Sequence, residues 1–191
     1  MSENNTITTS IASIPGYAPG RWVVDPAHSD VSFVARHLVS KVRGRFASFS
    51  GEIHAAPDPL DSSVIMEIDA ASIDTNNEQR EDHLRSADFL ETGTYPQLRF
   101  ISTAIRRQGA NFVIDGDLTI KDVTRRMTAH LEPNGFATDQ DGHLRASYTV
   151  AFDINRKDYN VNFHWILETG GAMVGDRVTI QLEIEAILQT D

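Results

Sequence analysis

The sequence predicts an all-β protein: an extended antiparallel barrel of about eight strands, with a short helical segment near residues 77–90. Three observations carry this expectation. Long runs alternate apolar and polar residues with a period of two, turn signals punctuate those runs, and one stretch alone has a helix-compatible composition without the alternation.

The alternation is cleanest near the C-terminus. Val178, Ile180, Leu182, Ile184, Ala186 and Leu188 occupy one phase, and the other is polar except for Ile187. Successive strand side chains point to opposite faces, so this run has one dry and one wet face. Such strands suit antiparallel sheets, because parallel sheets are usually covered on both sides. Earlier in the chain Val31, Phe33, Ala35 and His37 share a phase, as do Val64, Met66, Ile68 and Ala70. A strand opens at Phe100-Ile101 and runs to Ile105, and Asp115-Gly116-Asp117 reads as a turn or bulge between Phe112–Ile114 and Leu118–Ile120. Val123, Met127, Ala129 and Leu131 share a phase, and Leu144, Ala146, Tyr148, Val150, Phe152 and Ile154 form one side of a long strand.

Turn signals separate the runs at Pro57-Asp58-Pro59, Gln108-Gly109, Pro133-Asn134-Gly135, Asp141-Gly142 and Gly170-Gly171. Strands this long need their edges protected, and closure into a barrel does that. Asn77 to Leu90 is polar and poor in β-branched residues, with Thr75 or Asn76 available as a cap and Leu84 as its apolar anchor. It predicts two helical turns and a further turn around Ser86–Leu90, covering one opening or edge of the barrel.

The 191 residues suit one domain, expected over residues 19–191, with 1–18 as a flexible lead-in. The lead-in has neither a basic n-region nor a long apolar h-region, so the expected location is the cytoplasm. Cysteine is absent, which excludes disulfides, thiol chemistry and thiolate metal sites. A formal charge of −10 disfavours nucleic acid and anionic membranes, and no apolar run is long enough for a helical membrane span. Local basic exceptions are Lys41-Val42-Arg43-Gly44-Arg45 and Arg125-Arg126.

Seven histidines invite a metal, but no His-Glu-x-x-His or compact His/carboxylate run occurs, and no metal site is expected. There is no Gly-x-Ser-x-Gly elbow and no phosphate loop, so no catalytic residue is assigned. An eight-stranded barrel can be filled by side chains or can hold one small ligand. The candidate lining is Phe33, Phe46, Phe49, Met66, Ile68, Phe100, Ile120, Phe152 and Trp165, which suits an apolar tail. A polar head would meet His37 or the Lys41, Arg43 and Arg45 cluster, whose cations suit a phosphate or a carbonyl-bearing ring. Phe163-His164-Trp165 reads as a strand crossing the barrel wall or as a polar handle, through His164, on a ring-shaped ligand.

Several stretches together resemble the YceI-like, or polyisoprenoid-binding, family. They are Trp22 to Phe33, His37-Leu38, Val42 to Gly51, Ala71 to Thr75, Arg80 to Phe89, Tyr95-Pro96, Phe100 to Thr103, Gly116 to Ile120, Val123-Thr124 and Arg156 to Tyr159. The resemblance covers about residues 21–188 in the expected order. It implies a long lipocalin-like barrel with a small helical piece that holds an isoprenoid quinone or prenyl phosphate, no established catalysis, a bacterial source and a possible homodimer. One departure is Lys121-Asp122, where the family usually has His-Gly.

Three functions follow as alternatives. The first is non-enzymatic binding, carriage or storage of an isoprenoid lipid, with no cofactor besides that lipid. The second is an enzyme acting on a quinone-like or prenyl lipid by acid–base chemistry, which needs His28, His37 or His164 facing the lumen. The third is a stress-related structural protein with a filled barrel. What faces the lumen separates them.

Overall fold

A computed structural model describes residues 14–164 and 173–190. Eleven strands form one sheet: β1 (Gly20–Val24), β2 (Asp30–His37), β3 (Ser40–Phe46), β4 (Phe49–Ala55), β5 (Ser63–Asp69), β6 (Ile73–Asp74), β7 (Gln97–Gln108), β8 (Asn111–Ile120), β9 (Val123–Thr138), β10 (Leu144–Asn155) and β11 (Val174–Leu188). Among the described residues one α-helix, α1 (Glu78–Arg85), lies between β6 and β7.

The eleven segments make eight staves. β1 and β2 both pair with β11, β4 and β3 continue one another beside them, and β5 and β6 pair with β4 and β3 in turn. The ring therefore closes as an up-and-down barrel, with every neighbour antiparallel. The interruptions have local causes. Pro26 has no N–H to give a ladder, and Asp25 turns the chain by accepting from Ala27 N at 3.0 Å. Asp69 does the same with Ala71 N at 2.9 Å. Ser72 then joins two breaks, its carbonyl accepting from Ala47 N at 3.0 Å and its Oγ from Ser48 N at 3.0 Å.

Two expected turns lie inside strands. Asp115-Gly116-Asp117 runs straight through β8. Asp115 and Asp117 face outward to Arg106 and Arg126, and Gly116 faces inward under the Phe100 ring, where a Cβ would lie 2.3 Å from ring carbons. Pro133-Asn134-Gly135 is an irregularity within β9, opposite a register shift between Ser147 and Tyr148. Glycine 116 thus supplies space rather than a reversal. Gln108-Gly109 and Asp141-Gly142 are reversals as expected, whereas Gly170-Gly171 lies outside the described residues.

The helix is capped by neither Thr75 nor Asn76. Asn77 Oδ1 accepts from Arg80 N at 2.9 Å, while Glu81 Oε1 accepts from Asn77 N at 3.0 Å and Thr75 N at 2.7 Å. Asn76 has φ 58°, which places it in the turn before the cap. A further turn follows at Ser86–Leu90, and Leu84, Phe89 and Leu90 pack on the barrel core. Residues 14–18 of the expected lead-in pack against the opposite end. Tyr17 sits edge-on to Phe136 at 6.0 Å, and Trp22 Nε1 donates to Ala18 O at 3.2 Å.

The antiparallel order fixes what lies at each end. The β2–β3 hairpin, α1 and the β8–β9 turn share the helix end. Residues 56–62, the β7–β8 and β9–β10 hairpins and residues 14–19 share the other. Lys121-Asp122 makes the β8–β9 turn with Lys121 at φ 57°, a left-handed conformation awkward for a side chain. Its Nζ donates to Asn160 O at 3.1 Å and lies 3.7 Å from Glu91, and Asn160 Nδ2 donates to Asp122 Oδ1 at 3.3 Å. Lys121 and Asp122 therefore clamp this end of the barrel.

Candidate functional site

The barrel interior has two floors. Towards the helix end Phe46, Ile73, Phe89, Leu118, Ile120, Tyr159 and Val161 are buried together, with Phe33, Phe49, Ile68 and Phe163 packed on them. Phe163 closes against Phe89 and His83, at centroid distances of 4.9 Å in each case. Buried Arg156 ties this floor to β11, donating to Val161 O at 2.7 Å, Gly175 O at 2.9 Å, Val174 O at 3.2 Å and Asp176 at 3.1 Å.

The second floor holds a cavity of about 140 Å³, on a measure in which one water needs roughly 10–15 Å³. It therefore exceeds a hydration site, and the filled-barrel expectation does not describe this lumen. Its wall comes from all sides: Ile53, Val64 and Met66, then Phe100, Ile105, Phe112 and Ile114, then Met127, Ala129, Leu131, Val150, Phe152, Leu182 and Ile184. Trp22, Ala55, Ala146 and Ala186 form a second buried cluster beside it, with Phe136 and Leu188 packed against them.

Among the described residues, Tyr17, Ser62 and Tyr148 are the lining residues with polar side chains, and none of the lining residues is ionised. Tyr17 Oη donates to Ala56 O at 2.6 Å and lies 3.1 Å from Ser62 Oγ, which accepts from Ala56 N at 3.0 Å. Burial pushes both phenols above their ordinary range, Tyr148 the further, with Asp58 adding to the effect at Tyr17.

Of the expected lining residues, Met66, Phe100 and Phe152 line the cavity. Phe33, Phe46, Phe49, Ile68 and Ile120 belong to the same hydrophobic core but are not among the residues lining this cavity. His37 sits half-buried at the end of β2, at the helix end and away from the cavity. Lys41, Arg43 and Arg45 alternate with inward Val42, Gly44 and Phe46, so they project outward and are exposed, with Arg45 paired to Asp74 at 3.2 Å. Residues 161–164 form no strand, and His164 is exposed; Trp165 lies outside the described residues. His28 is exposed, its Nδ1 2.8 Å from Asp25 Oδ2. Sequence reasoning missed Tyr17 and Tyr148 as site residues. The signal for Tyr148 was a phenol in the apolar phase of β10, whereas Tyr17 sits in a segment without periodicity.

Two groups have a metal-like spacing, Asp25–His28–Glu185 and Asp139–Asp141–His143. Arg145 already occupies both, donating to Asp25 at 2.8 Å, Glu185 at 2.6 Å and Asp139 at 2.7 Å. The guanidinium holds Asp139 down to about 2, with the backbone N–H of His143 assisting, and it lowers Asp25. Asp25, Asp139 and Glu185 are thus members of an ion-pair network centred on Arg145.

Comparison with known proteins agrees with this architecture. The YceI-like domain matches residues 22–186. A UPF0312 protein of Staphylococcus epidermidis is 38% identical over 164 residues, covering 84% of this chain and 94% of that protein. A Staphylococcus aureus UPF0312 protein is 36% identical over 169 residues, covering 86% and 95%. Among solved structures, Burkholderia cenocepacia BcnA superimposes with a TM-score of 0.75 at 27% identity, covering 85% of this chain and 98% of its own. A polyisoprenoid binding domain from Saccharophagus degradans shares the fold, with a TM-score of 0.68 at 16% identity over 88% of this chain and 98% of its own. On sequence and fold together, the chain belongs to the YceI-like family.

Proposed function

We propose that this protein binds, carries or stores an isoprenoid lipid, an isoprenoid quinone or a prenyl phosphate, with its tail in the barrel cavity and without catalysing a reaction on it. The observation that carries this reading is the lining: aliphatic, aromatic and thioether side chains from every side, with no carboxylate, imidazole, guanidinium or ammonium among the described residues that form it. An apolar chain gains about 0.8 kcal/mol for each CH₂ it buries in such a wall. Acid–base chemistry by a histidine would need its imidazole in reach of the bound head, and His28, His37 and His164 all lie away from the lining, whose titratable groups are the phenols Tyr17 and Tyr148, both pushed away from ionisation by burial. The structural likeness to the Saccharophagus degradans polyisoprenoid binding domain favours an isoprenoid over other apolar chains.

The test is a calorimetric titration of delipidated protein with prenyl alcohols that grow by one isoprene unit at a time. Affinity should rise steeply with each unit and then reach a plateau where the cavity is full. Affinity independent of length, or no binding at any length, would contradict the proposal.

A further inference from the structure

We propose that Tyr148 is the head-group determinant of this cavity, donating its phenolic hydrogen to an uncharged oxygen acceptor of the ligand, and that the cavity selects such a head over a phosphate. This rests on the lipid-binding reading and narrows it.

The three polar side chains of the lining are not equivalent. Tyr17 and Ser62 are engaged with each other and with the Ala56 backbone. Tyr148 comes from the middle of β10, its ring edge-on to Phe136 at 6.2 Å, and its hydroxyl has no hydrogen-bond partner among the described residues. No buried side-chain polar atom of the described residues lacks a partner, so this unpaired hydroxyl keeps accessible surface, and an acceptor on a ligand can reach it and gain a hydrogen bond. Because burial pushes its ionisation above the ordinary range, the phenol keeps its proton and remains a donor. The matching chemistry is a carbonyl, hydroxyl or ether oxygen on an otherwise apolar molecule.

The surroundings oppose an anion. Asp58 lies near the Tyr17 phenol and Asp61 follows on the same loop, so the local charge is negative. Arg107 is the cation beside the lining, stacked 5.7 Å from the Phe112 centroid, but it is exposed and its Nε donates to Gly109 O at 3.4 Å. Lys41, Arg43 and Arg45, the cluster suited to phosphate, belong to β3 and the β2–β3 hairpin, remote from the tyrosines. A phosphate drawn into this lumen would lose water without gaining a countercharge.

The test compares full-length wild type and Tyr148→Phe, both delipidated, with three probes of equal chain length: a prenyl quinone, a prenyl monophosphate and a headless prenyl hydrocarbon. Wild type should bind the quinone at least tenfold more tightly than the monophosphate. Tyr148→Phe should weaken the quinone by about three- to tenfold, the worth of one hydrogen bond, and leave the hydrocarbon within twofold. Unchanged quinone affinity in the variant, or monophosphate binding equal to quinone, would overturn the inference while leaving the lipid reading in place. Failure of wild type to bind even the hydrocarbon would overturn both.

Discussion

Substituting Val150 with phenylalanine separates an open lumen from a packed core by the sign of two effects. Val150 projects into the cavity from β10, between its cross-strand partners Leu182 and Leu131. Phenylalanine adds four carbons and keeps good strand propensity. In an open cavity those carbons occupy space that a tail would fill. At about 0.8 kcal/mol per buried carbon they displace about 3 kcal/mol of tail binding, on the order of 100- to 200-fold in Kd. The ligand-free protein should instead gain about 0.5–2 kcal/mol, since filling an apolar void stabilises a fold. Urea denaturation of delipidated protein reads the second effect, and calorimetric titration with a prenyl alcohol reads the first. Were the lumen already packed, the same change would overfill it and cost about 1–3 kcal/mol. A destabilised variant, or one with unchanged affinity, would refute the reasoning.

Three further outcomes follow from named contacts. Gly116→Ala should cost about 1–3 kcal/mol in urea, because its Cβ meets the Phe100 ring at 2.3 Å and the Ile101 carbonyl at 2.6 Å; adding Phe100→Leu should recover part of that loss. Arg156→Met should cost about 3 kcal/mol, because three carbonyls and Asp176 lose a donor whose side chain is only 5% exposed. Asp115, through Arg106 and Thr128, and Asp139, through Arg145, are each held down to about 2, below the usual 3.8. Depressed carboxylates stabilise the fold above their unfolded value, and that contribution is lost as they protonate. Stability should therefore fall from about pH 4 to about pH 2, and in Arg145→Met the NMR midpoint of Asp139 should move part-way back towards 3.8, its backbone donors at Asp141 and His143 remaining.

The strands were legible where one face is wet and one is dry. β10 and β11 follow the alternation from Leu144 to Ile154 and from Val178 to Leu188 residue by residue. The barrel followed from strand number and length. Glycine and proline misled where their role was local: Gly116 makes room for Phe100, and Pro133-Asn134-Gly135 bends β9 without ending it. Which inward residues line the cavity was not legible, because Phe33 and Phe152 share an apolar phase and even the same cross-strand neighbour, Ile180, yet of the two Phe152 lines it. The basic cluster shows the other limit. Lys41, Arg43 and Arg45 are close in sequence to inward residues, yet the strand period turns them to solvent. Tyr148 was visible as an apolar-phase phenol, but that its hydroxyl has no partner among the described residues is a property of the assembled barrel.

The most direct measurement is the intact mass of the protein purified from its native host, taken under native conditions and again after organic extraction. The account predicts one extra mass per chain that disappears on extraction and corresponds to a prenyl lipid with an uncharged oxygen-bearing head. A protein that carries no extra mass under any growth condition and takes up no added prenyl lipid would contradict it.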